Sequence, residues 1–319
     1  MRKYEFTGET LEHFGVTLHQ IKRLSDGLIG GWIESEDNLS HDGKCFVYEN
    51  AKVYENAMVY GDAKVYENAL VFGDAKVYEN AKVYGKAMVS GIALVYGNTL
   101  VYGDAKVYEN ALVFGDAKVY ENARVFGNAK VFRDAKVYGN VKVYGSARVY
   151  GNTTVCGDAK VSGNPRVYGN AQVYGNAYVY GNAKVYGDAS VFGNALVFED
   201  AKVYGKAMVS GIALVYGNTL VCGYAKVFED AKVYGNAKVY GNDQVTGKLS
   251  ILLNVCQFNI TYSSVDKYIR IGCKSHSFKE WKTYVKDKSS KYSNECNSLD
   301  SHKKCVKWIK FILKQEGVM

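Results

Sequence analysis

The stretch AKVYGKAMVSGIALVYGNTLV occupies residues 81–101 and returns letter for letter at 201–221. Within it Val83, Val89, Val95 and Val101 stand six apart. Working outward from them in steps of six, every position from Val47 to Val245 is valine, 34 in succession, with no insertion or deletion. Two residues before each valine stands a small residue, nearly always alanine; the exceptions are Cys45, Thr99, Val141, Thr153, Pro165, Thr219 and Asp243. The typical unit is A-K-V-Y-G-N. Self-similarity at a fixed period is the mark of a repeat architecture.

Six does not fit the 3.6-residue period of a helix, whereas a strand alternates faces at every residue. A-K-V-Y therefore reads in, out, in, out, with alanine and valine inside and lysine and tyrosine outside. The Gly-Asn, Glu-Asn or Gly-Asp pair that follows is turn chemistry, since glycine and asparagine accept positive φ at low cost. Each hexad is one short strand plus one corner. Three sides close a triangular coil of 18 residues, and 34 hexads predict about 11 coils, a parallel β-helix of roughly 50 Å at strand spacing. Because such a stack has nearest-neighbour energetics, any whole number of hexads can be copied in without disturbing the inward register. The two copies of the 21-residue stretch lie 120 residues apart, twenty hexads, and read as a duplication rather than a doubled active site.

Three segments follow: a cap at 1–44, the hexapeptide β-helix at 45–247, and an α+β module at 248–319. In the cap a strand pair turns at Phe14-Gly15. In the module, VCQFNITYSSVDKYIRIGC alternates like a hairpin around Ser263-Ser264. Ser277 and Glu280 form a capping-box pair that opens a short helix. The final stretch SHKKCVKWIKFILKQEG sets Cys305, Trp308, Ile309 and Ile312 on one helical face, with Gly317 as its stop. The chain carries a net charge of +8. It is unevenly placed: 5 basic and 8 acidic residues in 1–44, 21 and 18 in 45–247, 14 and 6 in 248–319. The module is thus the candidate for an anionic partner, through Lys303, Lys307, Lys310 and Lys314, with a solvated lysine face as the alternative.

The aliphatic-to-small spacing, Val47 to Ala51 and Val53 to Ala57, resembles the repeat of left-handed β-helix proteins, and the left hand is taken from that resemblance; parallel crossovers in general are right-handed. The opening motifs Y-x-F-T-G-E-T, G-V-T-L-H-x-I and G-G-W-I-E-x-E-x-N-L-S-x-x-G-x-C, and IRIGCKSHSFKEW in the module, are similar to hexapeptide-repeat proteins of bacteria and their phages. Most of that group have no established activity, and many carry acyltransferase-like labels because of the repeat. The resemblance implies an all-β solenoid and, for its enzymes, acyl transfer with a histidine base near an interrupting loop, or carbonic anhydrase chemistry on three histidines. Here no histidine stands between His41 and His276, and no loop interrupts the hexads. The acidic residues occupy corner positions. No catalytic residue and no cofactor is therefore expected, and a non-enzymatic structural or interaction protein is the leading expectation. An acyltransferase-like enzyme and a polyanion- or nucleic-acid-binding protein are the alternatives.

Outward leucines and methionines suggest contact surfaces. Leu70 and Met88 share a side, as do Leu94 and Leu112, and Leu196 and Leu214 belong to the second copy. Self-association, by resemblance as a homotrimer, or a protein partner is expected. Columns of aromatic and basic residues raise nucleic acid as a further ligand. Cys273 and His276 form C-x-x-H, with Cys296, His302 and Cys305 downstream as remoter zinc candidates. Seven cysteines, an odd number, with no apolar segment at the N-terminus and no long apolar run, fit a cytoplasmic setting and no membrane.

Overall fold

The computed structural model describes residues 2–246, 251–255, 258–263, 267–271, 274–286, 306–307, 309–314 and 317–318. Parallel stacked sheets form an all-β solenoid of about 12 turns, with very few helices. The chain divides into two compact units, Met1–Gly181 and Asn182–Met319.

In the first unit, β1 (Tyr4–His13) and β2 (Val16–Arg23) form the antiparallel hairpin turning at Phe14 and Gly15, both at positive φ. β2 pairs with β3 (Ile29–Ile33), and β3 in turn pairs in parallel with Lys52–Val53, setting Ile33 beside Val53. Leu39 bridges Val59 in the same sense. Ile33 and Leu39 are therefore inward positions, six apart, of a coil that precedes the first unbroken hexad. The step from Leu39 to Val47 is eight residues rather than six, so a count by sixes starts one coil late. This is why the turns number about 12 and not 11.

From Val47 on, rungs repeat at 18 residues. Lys82 and Val83 lie between Lys64 and Val65 on one side and Leu100 and Val101 on the other. Two backbone bonds hold each such rung, as in Lys82 N–H to Thr99 O at 2.9 Å and Tyr84 N–H to Val101 O at 3.0 Å. The valine and alanine columns are buried throughout, with Val47, Ala51 and Val149 fully inaccessible. Each buried valine contributes about 1.5 kcal/mol of transfer free energy. Cys45 fills the small-residue slot of the first hexad, as its position predicts.

The corners differ in one respect from the sequence expectation. The residue two after the valine takes the whole left-handed load, with φ between 55° and 83° from Glu49 to Gly241, while the Asn or Asp after it does not. Most of these residues are glycine, and close stacking favours it at places such as Gly97, where a Cβ would meet Gly115 O at 2.7 Å. Where glutamate stands instead, its carboxylate reaches the next corner. Glu49, Glu55 and Glu109 accept the N–H of Glu67, Gly73 and Gly127 at 2.8, 2.7 and 2.8 Å.

The second unit is built from rungs of the same 18-residue step, as in Leu196 beside Leu214 and Lys226 beside Gln244. Its C-terminal part is a four-stranded antiparallel meander of Ile251–Val255, Phe258–Ser263, Tyr268–Ile271 and Lys274–Ser277. Helix α1 (Phe278–Lys286) begins at the capping box read from sequence. Ser277 N–H donates to the Glu280 carboxylate at 2.6 Å, and Glu280 N–H to Ser277 Oγ at 3.2 Å. Trp281 Nε1 donates to Ile269 O at 2.6 Å, and Ile269, Phe278 and Trp281 are buried. In the last helical stretch Ile309, Ile312 and Leu313 are buried. Val318 N–H returns to Leu313 O across Gly317 at φ 66, so glycine ends the helix as expected.

Candidate interaction surface

The outward side chains are ordered by the same 18-residue step. The residue after each valine is aromatic in most hexads, and the rings stack into ladders. Tyr66, Tyr84, Tyr102 and Tyr120 follow one another at 4.8 Å between centroids, within 4° of parallel. Phe114 and Phe132 do the same at 4.8 Å and 1°. Each ring covers the faces of its neighbours, so the ladders present edges outward. Burial makes several of these phenols resist ionisation. Tyr78 and Tyr120 are pushed up to about 12, first by burial and then by the phenols above and below them.

Six positions break the ladders: Ser90, Cys156, Ser162, Ser210, Cys222 and Thr246. Sequence reasoning passed over these breaks, although stepping by 18 rather than by six lays out each column and exposes them. Cys156 and Cys222 are free and half-buried, and each holds up the pKa of the tyrosine one rung earlier, Tyr138 and Tyr204. Ser162 is closed over, with Tyr178 reaching across from the neighbouring column: the Tyr178 hydroxyl lies 2.7 Å from Ser162 Oγ and 3.0 Å from the Tyr144 hydroxyl.

The residue before each valine forms a second column. The structure brings together the leucines and methionines named from sequence: Leu70 beside Met88, Leu94 beside Leu112, and Leu196 beside Leu214. All six are half-buried. Ile92 and Ile212, at 54 % and 57 % exposure, are the more open apolar side chains. They sit at the corner position that is Asn or Asp in most hexads, a departure visible in the sequence.

Many carboxylates of the corners are occupied structurally. Besides the glutamates above, Asn56, Asn98 and Asn140 donate to Asp74, Asp116 and Asp158 at 3.0, 2.9 and 2.9 Å, joining successive coils. A corner trough in the first unit is lined by Asn98, Asp116, Lys118, Asp134, Lys136, Asn152 and Thr154. Both charge signs alternate along it, so it offers no uniform field to a polyanion.

In the C-terminal module Lys307, Lys310 and Lys314 are exposed, opposite buried Ile309 and Ile312. Lys303 and Trp308 lie outside the described residues. So do Cys273, Cys296, His302 and Cys305, leaving His276 alone of the zinc candidates. Its ring packs edge-on against Trp281, with Nδ1 4.0 Å from the Glu280 carboxylate. Among the described residues no three metal-ligating side chains converge.

A family model described as the YdcK β-solenoid repeat matches residues 171–187. No curated protein matches the chain. Among solved structures, the chain is similar to a "putative acetyltransferase" from Desulfovibrio desulfuricans G20, with 10 % identity and a TM-score of 0.23 over 99 % of this chain and 72 % of the other. A score that low carries no argument about activity. No helix among the described residues is long and apolar enough to cross a membrane.

Proposed function

We propose that this β-solenoid repeat protein is a non-enzymatic structural or interaction protein, whose outward columns contact another protein or a second copy of the chain. The observation that carries the reading is the rung-to-rung stacking of Leu70 on Met88, Leu94 on Leu112 and Leu196 on Leu214, half-exposed on otherwise charged faces. Such apolar pairs, bounded in their columns by lysines such as Lys52, Lys106, Lys76 and Lys130, fit a partner better than they fit water. The histidine-free hexads and the many corner carboxylates that bond to neighbouring coils support the non-enzymatic side of the proposal, because fold likeness grants no activity without a site. The resemblance to hexapeptide-repeat proteins of bacteria and their phages supports a homotrimer in the cytoplasm as the first assembly to look for. Nucleic acid along the aromatic columns is disfavoured, since stacked rings have no free faces for bases. Polyanion binding through exposed Lys307, Lys310 and Lys314 is the second reading.

Light scattering at high concentration tests the first reading. An assembly larger than one chain is expected, and Leu94→Lys with Leu112→Lys should loosen it while the circular dichroism stays unchanged. A clean monomer with no pull-down partner lost in that double variant would overturn it. Calorimetric titration with acetyl-coenzyme A should give no heat; micromolar binding would return the acyltransferase-like alternative.

A further inference from the structure

We propose that the break at Ser90 is a ring-sized slot that receives a phenol, the side chain of a tyrosine on a partner protein. The proposal rests on the interaction reading above and names the chemistry one point of contact would take.

The column through Ser90 runs Tyr54, Phe72, Ser90, Tyr108, Phe126. Phe72 N–H bonds Val89 O and Ser90 N–H bonds Val107 O, so the three residues Phe72, Ser90 and Tyr108 occupy successive rungs. Phe72 stacks on Tyr54 at 5.1 Å and Tyr108 on Phe126 at 4.8 Å. Among the described residues neither ring has a second ring neighbour, so the faces that look toward Ser90 carry none. Two rungs separate them, about 9.6 Å at strand spacing. One further ring placed midway would stack on both at the spacing the ladders already use.

The molecule shows what such a gap takes. At Ser162, the other serine break in this column, the Tyr178 hydroxyl reaches in and meets Ser162 Oγ and the Tyr144 hydroxyl, while its ring leans against Tyr180 at 4.5 Å and 39°. Ser162 is thereby reduced to 5 % exposure. Tyr178 stands beside Lys160, one rung beyond Ser162 in the column before the valine. The equivalent place beyond Ser90 is Lys106, which pairs with Met88 and has no ring to offer. Ser90 stays half-exposed, and its hydroxyl has no hydrogen-bond partner among the described residues. Met88 flanks the slot half-buried, and Ile92 stands 54 % exposed at the adjacent corner. Aromatic walls, an apolar rim and one hydroxyl at the floor match a phenol better than an anion or an aliphatic chain.

The duplicated stretch carries the same set again. Ser210 lies between Phe192 and Phe228 by register, beside Met208, with Ile212 57 % exposed at the corner. The second unit thus repeats the serine, methionine and isoleucine of the first.

The test uses the full chain and p-cresol, the tyrosine side chain in isolation. Saturation-transfer NMR should show transfer from the wild-type protein to p-cresol that is lost in Ser90→Tyr with Ser210→Tyr, because the new rings fill both slots. Ser90→Tyr alone should raise the melting temperature, whereas Ser162→Tyr should lower it, its slot being full. Transfer undiminished in the double variant would overturn the proposal, as would a lower melting temperature for Ser90→Tyr. Adenine giving stronger transfer than p-cresol would overturn the choice of ligand. The interaction reading itself fails separately, through the leucine variants and the oligomeric state, since p-cresol needs no partner.

Discussion

Three threonines occupy the small inward slot, and their hydroxyls have different fates. Thr99 and Thr153 donate to the carbonyls of Tyr96 and Tyr150, each at 2.6 Å. Thr219 is equally buried, and its hydroxyl has no partner among the described residues. A net hydrogen bond is worth about 1 kcal/mol, while an unpaired buried hydroxyl costs about 1–3 kcal/mol. Valine keeps the shape and removes the hydroxyl. Thr219→Val should therefore raise stability by about 1 kcal/mol and Thr99→Val lower it by a similar amount. Thermal melts of the two single variants, read side by side, check the pair of signs; equal shifts in the same direction would contradict the assignment. The slot of each threonine was legible in the sequence, because six-residue counting puts it two before a valine. The bond was not, since it depends on a side-chain rotamer that pattern does not encode.

At the scale of the element, the strands are only two or three residues long for most hexads, and their cohesion comes from columns. Valine inside and tyrosine outside were both readable from alternation. The stacking of the phenols, and the glutamate carboxylates closing one corner onto the next, were not, because both arise between residues 18 apart. The ladders have a consequence for pH. Tyr78 and Tyr120 sit near 12 in the folded chain, held up by burial and by neighbouring phenols, against about 10 when unfolded. A raised acid pKa means the folded state keeps its proton longer than the unfolded chain does. Stability is then fully present below about pH 10 and falls as pH climbs toward 12, where only the unfolded chain releases protons. Alkaline titration should show phenolate absorbance appearing in one steep step together with loss of circular dichroism. A gradual, independent rise of phenolate with the fold intact would show that the rings are not held in the ladder.

For the whole molecule the governing quantity is the period, and the sequence displayed it without ambiguity from Val47 to Val245. What it concealed was the coil made by Ile33 and Leu39, where two extra residues before Val47 break the count although the pairing with Val53 and Val59 continues. That coil shows where irregularity is tolerated: at a corner, between rungs, and only if the inward residues regain their columns. Deletion tests the rule. Removing Tyr120–Val137 takes out 18 residues, joins Val119 to Tyr138, and returns every later rung of that unit to its own side. In a stack with nearest-neighbour energetics, the loss is one coil and one interface, so the shortened chain should fold cooperatively and melt close to the original. Removing six residues, Tyr120–Val125, preserves inside and outside and leaves later pairs such as Asn140 with Asp158 intact, but it sets the first coil beyond the cut against rungs of a different side; a moderate drop from that one mismatched interface is expected. Removing five residues reverses the faces, driving lysine and tyrosine inward and valine outward, and no folded solenoid should form beyond the cut. The order of melting temperatures, with 18 above six and no transition for five, is read from circular dichroism. An 18-residue deletion that melts below the six-residue one would mean that stability resides in particular coils rather than in the repeat.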